Sequence, residues 1–312
     1  MAEGQRQVTQ AREGRRAAVL GHPIAHSLSP TLHRAAYAAL GLNAWRYDVV
    51  DLAADQLGAF LESLTGEWAG LSLTMPLKQT VIALLDHIEP LAEVVGAVNT
   101  VLVQAGRARP VLTGANTDVY GIVTALGEAL GPAPVPSVRR TAAVIGGGAT
   151  AASTLAALAQ LGCTTPVVYV RSLGRIGGLM RAAHRMGLEP RYVSTDAAAH
   201  EITSADLVVS TLPPHAADVL AGQLVGSATE QGAVAPSGVL LDVAYDPRPT
   251  ALAAAWTHGG GVVVGGERML LHQAAEQVRL MTGRPGPVDA MAVALAEALE
   301  HGTTPADATP RS

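Results

Sequence analysis

The chain of 312 residues has little cysteine, few aromatic residues and few charges. Its single cysteine, Cys163, excludes an intrachain disulfide and a multi-cysteine metal site, and it fits a reducing cytoplasm. Aromatic residues make up 3% of the sequence, so the cores are expected to consist of Ala, Val and Leu. A formal net charge of -5 at pH 7 argues against nucleic acid or an anionic membrane as a partner.

Long apolar runs are also missing. No run approaches the about 18 residues that a transmembrane helix needs. Residues 1–16 are polar and lack the apolar stretch of a secretory signal, so a cytoplasmic location is expected. Disordered tails are predicted at 1–15 and 302–312. The length and the 49% hydrophobic content are typical of two globular domains.

The first part of the chain alternates strand and helix patterns, as an α/β unit does. Strands are predicted at 19–21, 45–50, 69–73, 98–103 and 111–112, the last two as a hairpin. A helix is predicted to begin near Ser29 and Pro30 and to end at Gly41. Asp118 begins another helix that extends to about Leu130, and the linker-like stretch GPAPVPS follows at 131–137.

From Thr141 the spacing of strands and helices predicts a doubly wound parallel sheet. The predicted strands are 142–145, 167–170, 207–210, 239–243 and 262–264, with helices at 149–161 and 174–187. Two further helices, 267–281 and 288–299, are expected to return to the first domain. The predicted fold is therefore α/β, with an N-terminal α/β domain (16–117 plus 268–301) and a Rossmann-type dinucleotide-binding domain (118–267).

A glycine-rich turn follows the first strand of this second domain. Gly146, Gly147, Gly148 and Ala149 lie within a G-x-G-x-x-A pattern that ends at Ala151, between a strand and a helix. In that context the turn is typical of a loop that holds a pyrophosphate at a helix N-terminus. A plain structural turn is the alternative.

The end of the next strand indicates the cofactor. NAD-specific folds usually carry Asp or Glu there for the ribose hydroxyls. This chain has Arg171 and Ser172, with Arg175 one turn later, and their guanidinium groups can pair with a 2′-phosphate. NADP is therefore predicted over NAD, and two solvated arginines are the alternative.

Two phrases before the glycine turn, LTMPLK at 73–78 and GANTD at 114–118, contain Lys78 and Asp118. A proton-handling pair beside a nicotinamide site is what carbonyl reduction requires. Two unrelated surface charges are the alternative for such a pair. Asp118 could also serve only as the N-cap of its helix.

Taken together, these phrases resemble the shikimate dehydrogenase family, in co-linear order from about Ala18 to Gly283. The matching phrases are GHPIAHSLSPTLH (21–33), SLTMPLK (72–78), GAVNT (96–100), GANTD (114–118), LDVAYDPRPTAL (241–252) and GGERMLLHQAAEQ (265–277). The resemblance implies reduction of 3-dehydroshikimate to shikimate with NADPH, a step of chorismate and aromatic amino-acid biosynthesis. It leaves open whether the protein is a monomer or a homodimer.

The resemblance also assigns residues. It implies Lys78 and Asp118 as the catalytic pair, and substrate binding by Ser27, Ser29, Thr74, Lys78, Asn99, Asp118, Tyr245 and Gln273. It also implies cofactor binding by the glycine turn (Gly146, Gly147, Gly148 and Ala149) and by the residues after the next strand (Arg171, Ser172 and Arg175). The remaining cofactor-binding residues that it implies are Thr211, Leu212, Val243, Gly266 and Met269. Short hydroxyl and amide side chains suit a substrate with a carboxylate and three ring hydroxyls.

Several of these residues have a structural alternative. Ser29 could be an N-cap, Asn99 could satisfy turn backbone, and Tyr245 could be a core residue. Gln273, midway along an apolar helix, is harder to explain without a polar partner, and Ser27 lacks a structural explanation in the sequence. A metal site at His22 and His26 is not expected, because no carboxylates accompany them on a helix.

The sequence departs from the family at four places, where Arg34 and Ser72 each replace an asparagine, Val170 replaces another, and Ser210–Pro213 replaces N-A-T-S. Rival functions are a quinate/shikimate or aminoshikimate dehydrogenase with relaxed cofactor use, a non-catalytic NADP-binding sensor, and an interaction protein.

Overall fold

The computed structural model describes residues 14–131, 140–227 and 235–301. Residues 1–13 and 302–312 of the predicted tails, and most of the predicted linker, lie outside these ranges. Arg15 was wrongly assigned to a tail, because its guanidinium donates to the carbonyl oxygens of Trp68 and Val103 and its own carbonyl accepts from the Arg46 N–H. None of the described helices has the length and apolar character needed to cross a membrane.

The chain divides into two compact units. Unit 1 comprises Met1–Glu93, Val98–Thr117 and Gln273–Ser312, and unit 2 comprises Val94–Ala97 and Asp118–His272. These bounds differ from the predicted domains at residues 94–97 and at the return after His272. The first difference arises because Val95 and Ala97 are buried in the apolar core of unit 2, and Arg185 donates to the Val94 carbonyl oxygen.

Unit 1 contains a mixed sheet. Its strands are β1 (Arg16–Gly21), β2 (Arg46–Asp51), β3 (Trp68–Leu73), β4 (His87–Ile88), β5 (Thr100–Gln104) and β6 (Val111–Ala115), in the order β2-β1-β3-β5-β6-β4. β1 runs parallel to β2 and β3, and β5 runs antiparallel to β3 and β6. The order reverses between β1 and β3, so the carboxyl ends of these strands flank a switch point, where open α/β sheets bind ligands.

Unit 2 contains a parallel sheet. Its strands are β7 (Ala142–Ile145), β8 (Val167–Val170), β9 (Arg191–Ser194), β10 (Leu207–Ser210), β11 (Val239–Asp242) and β12 (Val262–Gly265), in the order β12-β11-β10-β7-β8-β9. All five pairings are parallel. This order is that of a doubly wound Rossmann sheet, which confirms the predicted fold class, and its switch point lies between β7 and β10.

The helices differ more from the prediction. They are α1 (Ser29–Ala39), α2 (Leu57–Glu62), α3 (Leu77–Thr80), α4 (Pro90–Val95), α5 (Asp118–Leu130), α6 (Ala149–Gln160), α7 (Gly177–Arg185), α8 (Ala198–Glu201), α9 (Asp218–Ser227), α10 (Ala251–His258), α11 (Gly266–Thr282) and α12 (Val288–His301). The predicted helix at 174–187 begins with a short 3-10 turn, and another 3-10 turn precedes α2. α12 packs on α1 within unit 1.

Two apolar cores cover the sheet of unit 2. Val144, Val168, Val209 and Leu241 belong to one core. Their neighbours along the strands, among them Ile145, Val208 and Leu240, belong to the other. Because successive side chains of a strand point to opposite faces, this alternation buries both faces. The buried sheet therefore holds the turns at its carboxyl edge in fixed positions.

Candidate active site

The segment before α1 presents Ser27 and Ser29. The N-cap of α1 is Leu28, which makes no side-chain cap bond, so the N-cap alternative for Ser29 is wrong. Ser29 is the first helical residue, and its N–H donates to Ser27 Oγ at 3.3 Å. Ser27 therefore has a structural role that its sequence did not indicate. The Ser29 side chain itself is buried and lies close to the Tyr47 hydroxyl, whose pKa it lowers against the larger opposing effect of burial.

Asn99 lies at the centre of a buried polar cluster in unit 1. Its Nδ2 donates to Thr117 Oγ1 at 2.9 Å and to Gln273 Oε1 at 3.3 Å. Its Oδ1 accepts from the Thr117 N–H at 2.8 Å. Asn99 and Gln273 are only 1% and 6% exposed. Asn99 thus satisfies backbone, as the structural alternative proposed, and it also holds the Gln273 amide in place.

Gln277 completes this cluster, and the sequence analysis missed it. Its Oε1 accepts from Ser72 Oγ at 2.8 Å and from His33 Nε2 at 3.2 Å. Its Nε2 donates to the Asn99 carbonyl oxygen at 3.2 Å and to Thr100 Oγ1 at 3.0 Å. The sequence does contain an indication of this role, because Gln273 and Gln277 are four residues apart and therefore share one face of their helix.

Replacing Gln277 with leucine is expected to cost about 2–5 kcal/mol of unfolding free energy, because several buried polar groups lose their partner at once. Urea unfolding measures the loss. The control is Gln223→Leu, since Gln223 is an exposed helical glutamine in α9 and its replacement should be nearly neutral. Equal stability of the two variants would show that the cluster contributes nothing to folding.

His33 is fully buried and stacks on Tyr47, with ring centroids 4.0 Å apart. Burial lowers the pKa of His33 from 6.5 to about 4, and the hydrogen bond to Gln277 opposes this shift only partly. His33 is therefore neutral near pH 7, with its proton on Nε2, where Gln277 Oε1 can accept it.

A folded-state pKa below the unfolded value means that the unfolded chain binds the proton first as the pH falls. We expect His33 to remove about 3 kcal/mol of stability between pH 6.5 and about pH 4. In His33→Asn this part of the pH dependence should disappear, even if the variant is less stable at neutral pH. Unfolding free energies measured across this range would test it, and unchanged curves would contradict it.

Thr74 and Lys78 follow β3 at the switch point of the unit 1 sheet. The Thr74 N–H donates to the Leu20 carbonyl oxygen at 2.9 Å, and a side chain at Gly21 would collide with the Thr74 methyl group. Lys78 is half-buried in α3, and its carbonyl oxygen accepts from the Val98 N–H at 2.8 Å, one residue before Asn99. Both candidates are therefore attached to the ordered edge of one sheet.

The amino-acid composition also indicates a special role for Lys78. Lys78 is the only lysine of the chain, whereas the chain has 20 arginines among its 21 basic residues. Arginine therefore supplies the other permanently charged basic side chains, and lysine occurs at a single position. Lysine can release its proton in a reaction, whereas arginine is always protonated.

Asp118 and Tyr245 lie in unit 2. Asp118 is the first residue of α5 and is 3% exposed, a position where the helix dipole favours a carboxylate. Tyr245 is half-buried in the segment that follows β11. The structure gathers Ser29, Asn99 and Gln273 into one cluster of unit 1, and it places these two residues in the other unit.

The glycine turn of unit 2 has the geometry of a phosphate loop. Gly146 has φ +121°, and a side chain there would overlap the Thr211 hydroxyl. Gly148 is the N-cap of α6, and nothing lies within 4 Å of the position of its missing Cβ. Backbone N–H groups at this helix end can therefore approach an anion closely.

The predicted 2′-phosphate residues follow β8. Arg171, Ser172 and Arg175 are all exposed, and no carboxylate lies between residues 171 and 175. Val170 is 4% exposed and packs close to Gly147, where an added Cβ would lie 3.2 Å from its methyl group. Where the resemblance leads to the expectation of an asparagine, Val170 therefore forms an apolar wall beside the turn.

The remaining cofactor candidates lie near the ends of β10, β11 and β12. The Thr211 hydroxyl donates to the Ile145 carbonyl oxygen at 3.0 Å, and Leu212 packs on an apolar core. An added Cβ at Gly266 would overlap the Val243 carbonyl, so glycine is required there. Met269 is 5% exposed and belongs to the apolar core of unit 2.

Ion pairs attach the first part of α11 to α5. Arg268 donates to both carboxylate oxygens of Glu128 at 2.9 and 2.6 Å, and His272 Nε2 lies 2.7 Å from the same carboxylate. Arg268 lowers the pKa of Glu128. These bonds keep residues 268–272 with unit 2, which explains why the chain returns to unit 1 later than predicted.

Elsewhere in the described residues, no group of three or more His, Cys, Asp or Glu side chains could hold a metal ion. His22 lies 2.6 Å from Asp51, as an exposed pair. Arg34, where the resemblance leads to the expectation of an asparagine, donates to the Tyr47 carbonyl oxygen at 3.0 Å. Ser72, where the same expectation holds, accepts from the Tyr47 hydroxyl at 2.6 Å.

Comparison with known proteins identifies the family. Residues 19–101 match the model of the shikimate dehydrogenase substrate binding domain, and residues 266–295 match that of the shikimate 5'-dehydrogenase C-terminal domain. A curated relative from Methanothermobacter thermautotrophicus, named shikimate dehydrogenase (NADP(+)), is 32% identical over 91% of this chain and 96% of its own length.

Solved structures agree with these matches. The shikimate dehydrogenase of Mycobacterium tuberculosis has 38% identity and a TM-score of 0.76, covering 91% of this chain and 99% of that one. The shikimate 5-dehydrogenase of Thermus thermophilus, in complex with NADP(H) and shikimate, has 31% identity and a TM-score of 0.72, covering 91% and 100%. On these grounds the chain belongs to the shikimate dehydrogenase family.

Proposed function

We propose that the chain is an NADP-dependent shikimate dehydrogenase that reversibly reduces 3-dehydroshikimate to shikimate in chorismate biosynthesis. The observation that carries this proposal is the buried polar cluster around Asn99 and Gln273. It lies beside the carboxyl end of β3, where the Leu73 N–H donates to the Asn99 carbonyl oxygen at 2.7 Å. Relatives named shikimate dehydrogenase (NADP(+)) and the Thermus complex with NADP(H) and shikimate support it. The small-molecule substrate and a cytoplasmic location are parts of the same proposal.

Substrate recognition is proposed to use the residues that the family motifs indicate. These are Ser27, Ser29, Thr74, Lys78, Asn99, Asp118, Tyr245 and Gln273. Each can donate or accept a hydrogen bond, and a ligand with a carboxylate and three hydroxyls needs both. An analogue that lacks a hydroxyl should bind poorly, because it leaves a buried polar group unpaired.

Lys78 and Asp118 are proposed to handle the proton. NADPH supplies the hydride when bound. The Lys78 ammonium stabilises the negative charge that develops on the substrate carbonyl oxygen and donates the proton to it. Asp118 orients the substrate hydroxyl next to that carbonyl and favours the charged form of the lysine. In the reverse direction Lys78 accepts the proton from the shikimate hydroxyl.

The residues of unit 2 fit the proposed cofactor. A pyrophosphate fits the α6 N-terminus, because Gly146 permits the turn and Gly148 leaves open space above the backbone. Exposed guanidinium groups at Arg171 and Arg175 suit a 2′-phosphate, and the absence of a carboxylate at 171–175 removes the usual NAD determinant.

Arg171→Ala is expected to raise the KM for NADP by about ten- to a hundredfold, because a charge-assisted bond to a phosphate is worth about 1.5–3 kcal/mol. The KM for NAD should change little, since NAD lacks that phosphate. Arg181→Ala, an exposed arginine of α7, is the matched control. The same effect on both cofactors would remove the phosphate-binding role from Arg171.

A spectrophotometric assay tests the proposed function directly. The purified protein is incubated with shikimate or quinate and with NADP or NAD, and formation of the reduced cofactor is followed. The proposal requires the highest kcat/KM with shikimate and NADP. A preference for quinate or NAD would support the relaxed-specificity relative, and binding of NADP without turnover would support the sensor.

A further inference from the structure

Asp242 is a buried carboxylic acid that the proposed chemistry does not use. It is the last residue of β11 and is 3% exposed. Its Oδ2 accepts from the Thr250 hydroxyl at 2.6 Å. The Thr250 hydroxyl in turn accepts from the Ala253 N–H at 3.1 Å, which makes Thr250 the N-cap of α10. One hydroxyl therefore connects the end of a core strand to the start of the next helix.

This connection closes the segment 243–249, which leaves the carboxyl edge of the unit 2 sheet. The Val243 N–H donates to the Ser210 carbonyl oxygen at 2.9 Å, and Arg248 lies 3.5 Å from the Glu267 carboxylate. The segment is thus held by backbone at its start, by Thr250 at its end, and by an ion pair between them. Tyr245 lies in its middle.

Burying the carboxyl group of Asp242 lowers the stability of the folded protein. Burial raises its pKa, and the nearby Thr250, Ser210 and Ala244 groups oppose this shift only partly. Asp242 Oδ1 makes no hydrogen bond of normal geometry within the described residues. The same is true there of the Oγ of Ser210, which pairs with Asp242 in the register of β10 and β11. An N-cap threonine does not need a carboxylate to function. A buried acid next to such a cap is therefore better explained by positioning than by stability.

We propose that Asp242 and Thr250 are positioning residues that fix segment 243–249, and with it Tyr245, for substrate binding. The proposal rests on the proposed function for the identity of the substrate. The carboxylate sets the direction of the Thr250 hydroxyl, which sets the end of the segment. Val243 is held separately by the Ser210 backbone, so binding of the cofactor depends less on this pair than binding of the substrate does.

The kinetic test compares Thr250→Val, which removes the hydroxyl but keeps the shape, with Thr250→Ser, which keeps the hydroxyl. Thr250→Val is expected to raise the KM for shikimate by about ten- to a hundredfold, as misplacement of a binding group does. The dissociation constant for NADP should stay near the wild-type value, and Thr250→Ser should restore the KM for shikimate. Asp242→Asn, whose amide oxygen can accept from Thr250, should resemble wild type, and Asp242→Ala should resemble Thr250→Val.

Ser194→Ala is the matched control, because Ser194 caps a short 3-10 helix and its hydroxyl donates to a carboxylate, that of Asp196. It should leave both constants unchanged. If Thr250→Val lowers only the melting temperature and leaves the KM for shikimate unchanged, the pair is structural and the proposal is overturned. If Thr250→Val does not fold, the same comparison of melting temperature and KM for shikimate is made with Asp242→Ala.

Hydrogen exchange separates this proposal from the proposed function. Amides of residues 244–246 should exchange faster in Thr250→Val than in wild type, and no faster in Ser194→Ala. Faster exchange in a protein that does not oxidise shikimate would support the positioning role and reject the shikimate assignment. Unchanged exchange in an active protein would reject the positioning role alone.

Discussion

Lys78→Ala is expected to lower kcat for shikimate oxidation by about 10²–10⁴-fold, because the proton transfer that Lys78 is proposed to perform is worth that factor. The KM for shikimate should change much less, since other hydroxyl and amide groups still hold the substrate. Steady-state rates with shikimate and NADP provide the measurement. A variant that turns over at close to the wild-type rate would remove Lys78 from the mechanism.

Lys78→Arg separates charge from proton transfer. Arginine keeps the positive charge but does not release its proton, so this variant should also lose most of kcat. Recovery of the rate by arginine would mean that Lys78 acts only electrostatically. Because Lys78 is the only lysine, an amine-specific reagent can modify no other lysine side chain. Inactivation by such a reagent, with protection by shikimate, would give independent support.

The strands at the centre of the buried unit 2 sheet were predicted well from the sequence. The strands 142–145, 167–170 and 207–210 were placed at their observed bounds, because uninterrupted apolar runs between turn residues have few other interpretations. β4 was missed because two residues form no pattern, and β9 because Arg191 and Ser194 interrupt its apolar character.

The local chemistry of the candidate site was harder to predict. Ser29 has a typical N-cap sequence with proline after it, yet the helix begins at Ser29 itself and Leu28 is the cap. Its side chain lies instead close to the hydroxyl of Tyr47, which is on β2. Such a partner is set by tertiary packing, which overrides the local preference of a serine.

Tertiary packing also explains the departure from the family motif at Ser72. Ser72 is shorter than the asparagine it replaces, and Tyr47 and Gln277 bring a hydroxyl and an amide to it from β2 and α11. The three residues are far apart in the sequence, and no motif contains more than one of them. A single sequence therefore shows the substitution at Ser72 but not the side chains that accompany it.

Gly146→Ala is expected to destabilise unit 2 by about 2–6 kcal/mol, the sum of backbone strain at a positive φ and overpacking. The φ angle of +121° is one that residues with a side chain rarely adopt. The added Cβ would also overlap the Thr211 hydroxyl, which is already bonded to the Ile145 carbonyl oxygen. Thermal unfolding without ligand measures the loss.

Gly148→Ala distinguishes folding from cofactor binding within the same turn. Gly148 has φ −89° and open space around its missing Cβ, so alanine should leave the melting temperature close to that of wild type. A Cβ there would nevertheless stand where a pyrophosphate approaches the backbone, so the affinity for NADP should fall. Gly146→Ala should thus affect mainly stability and Gly148→Ala mainly binding. If Gly148→Ala binds NADP as wild type does, the pyrophosphate does not lie at this turn, and the cofactor assignment of unit 2 fails with it.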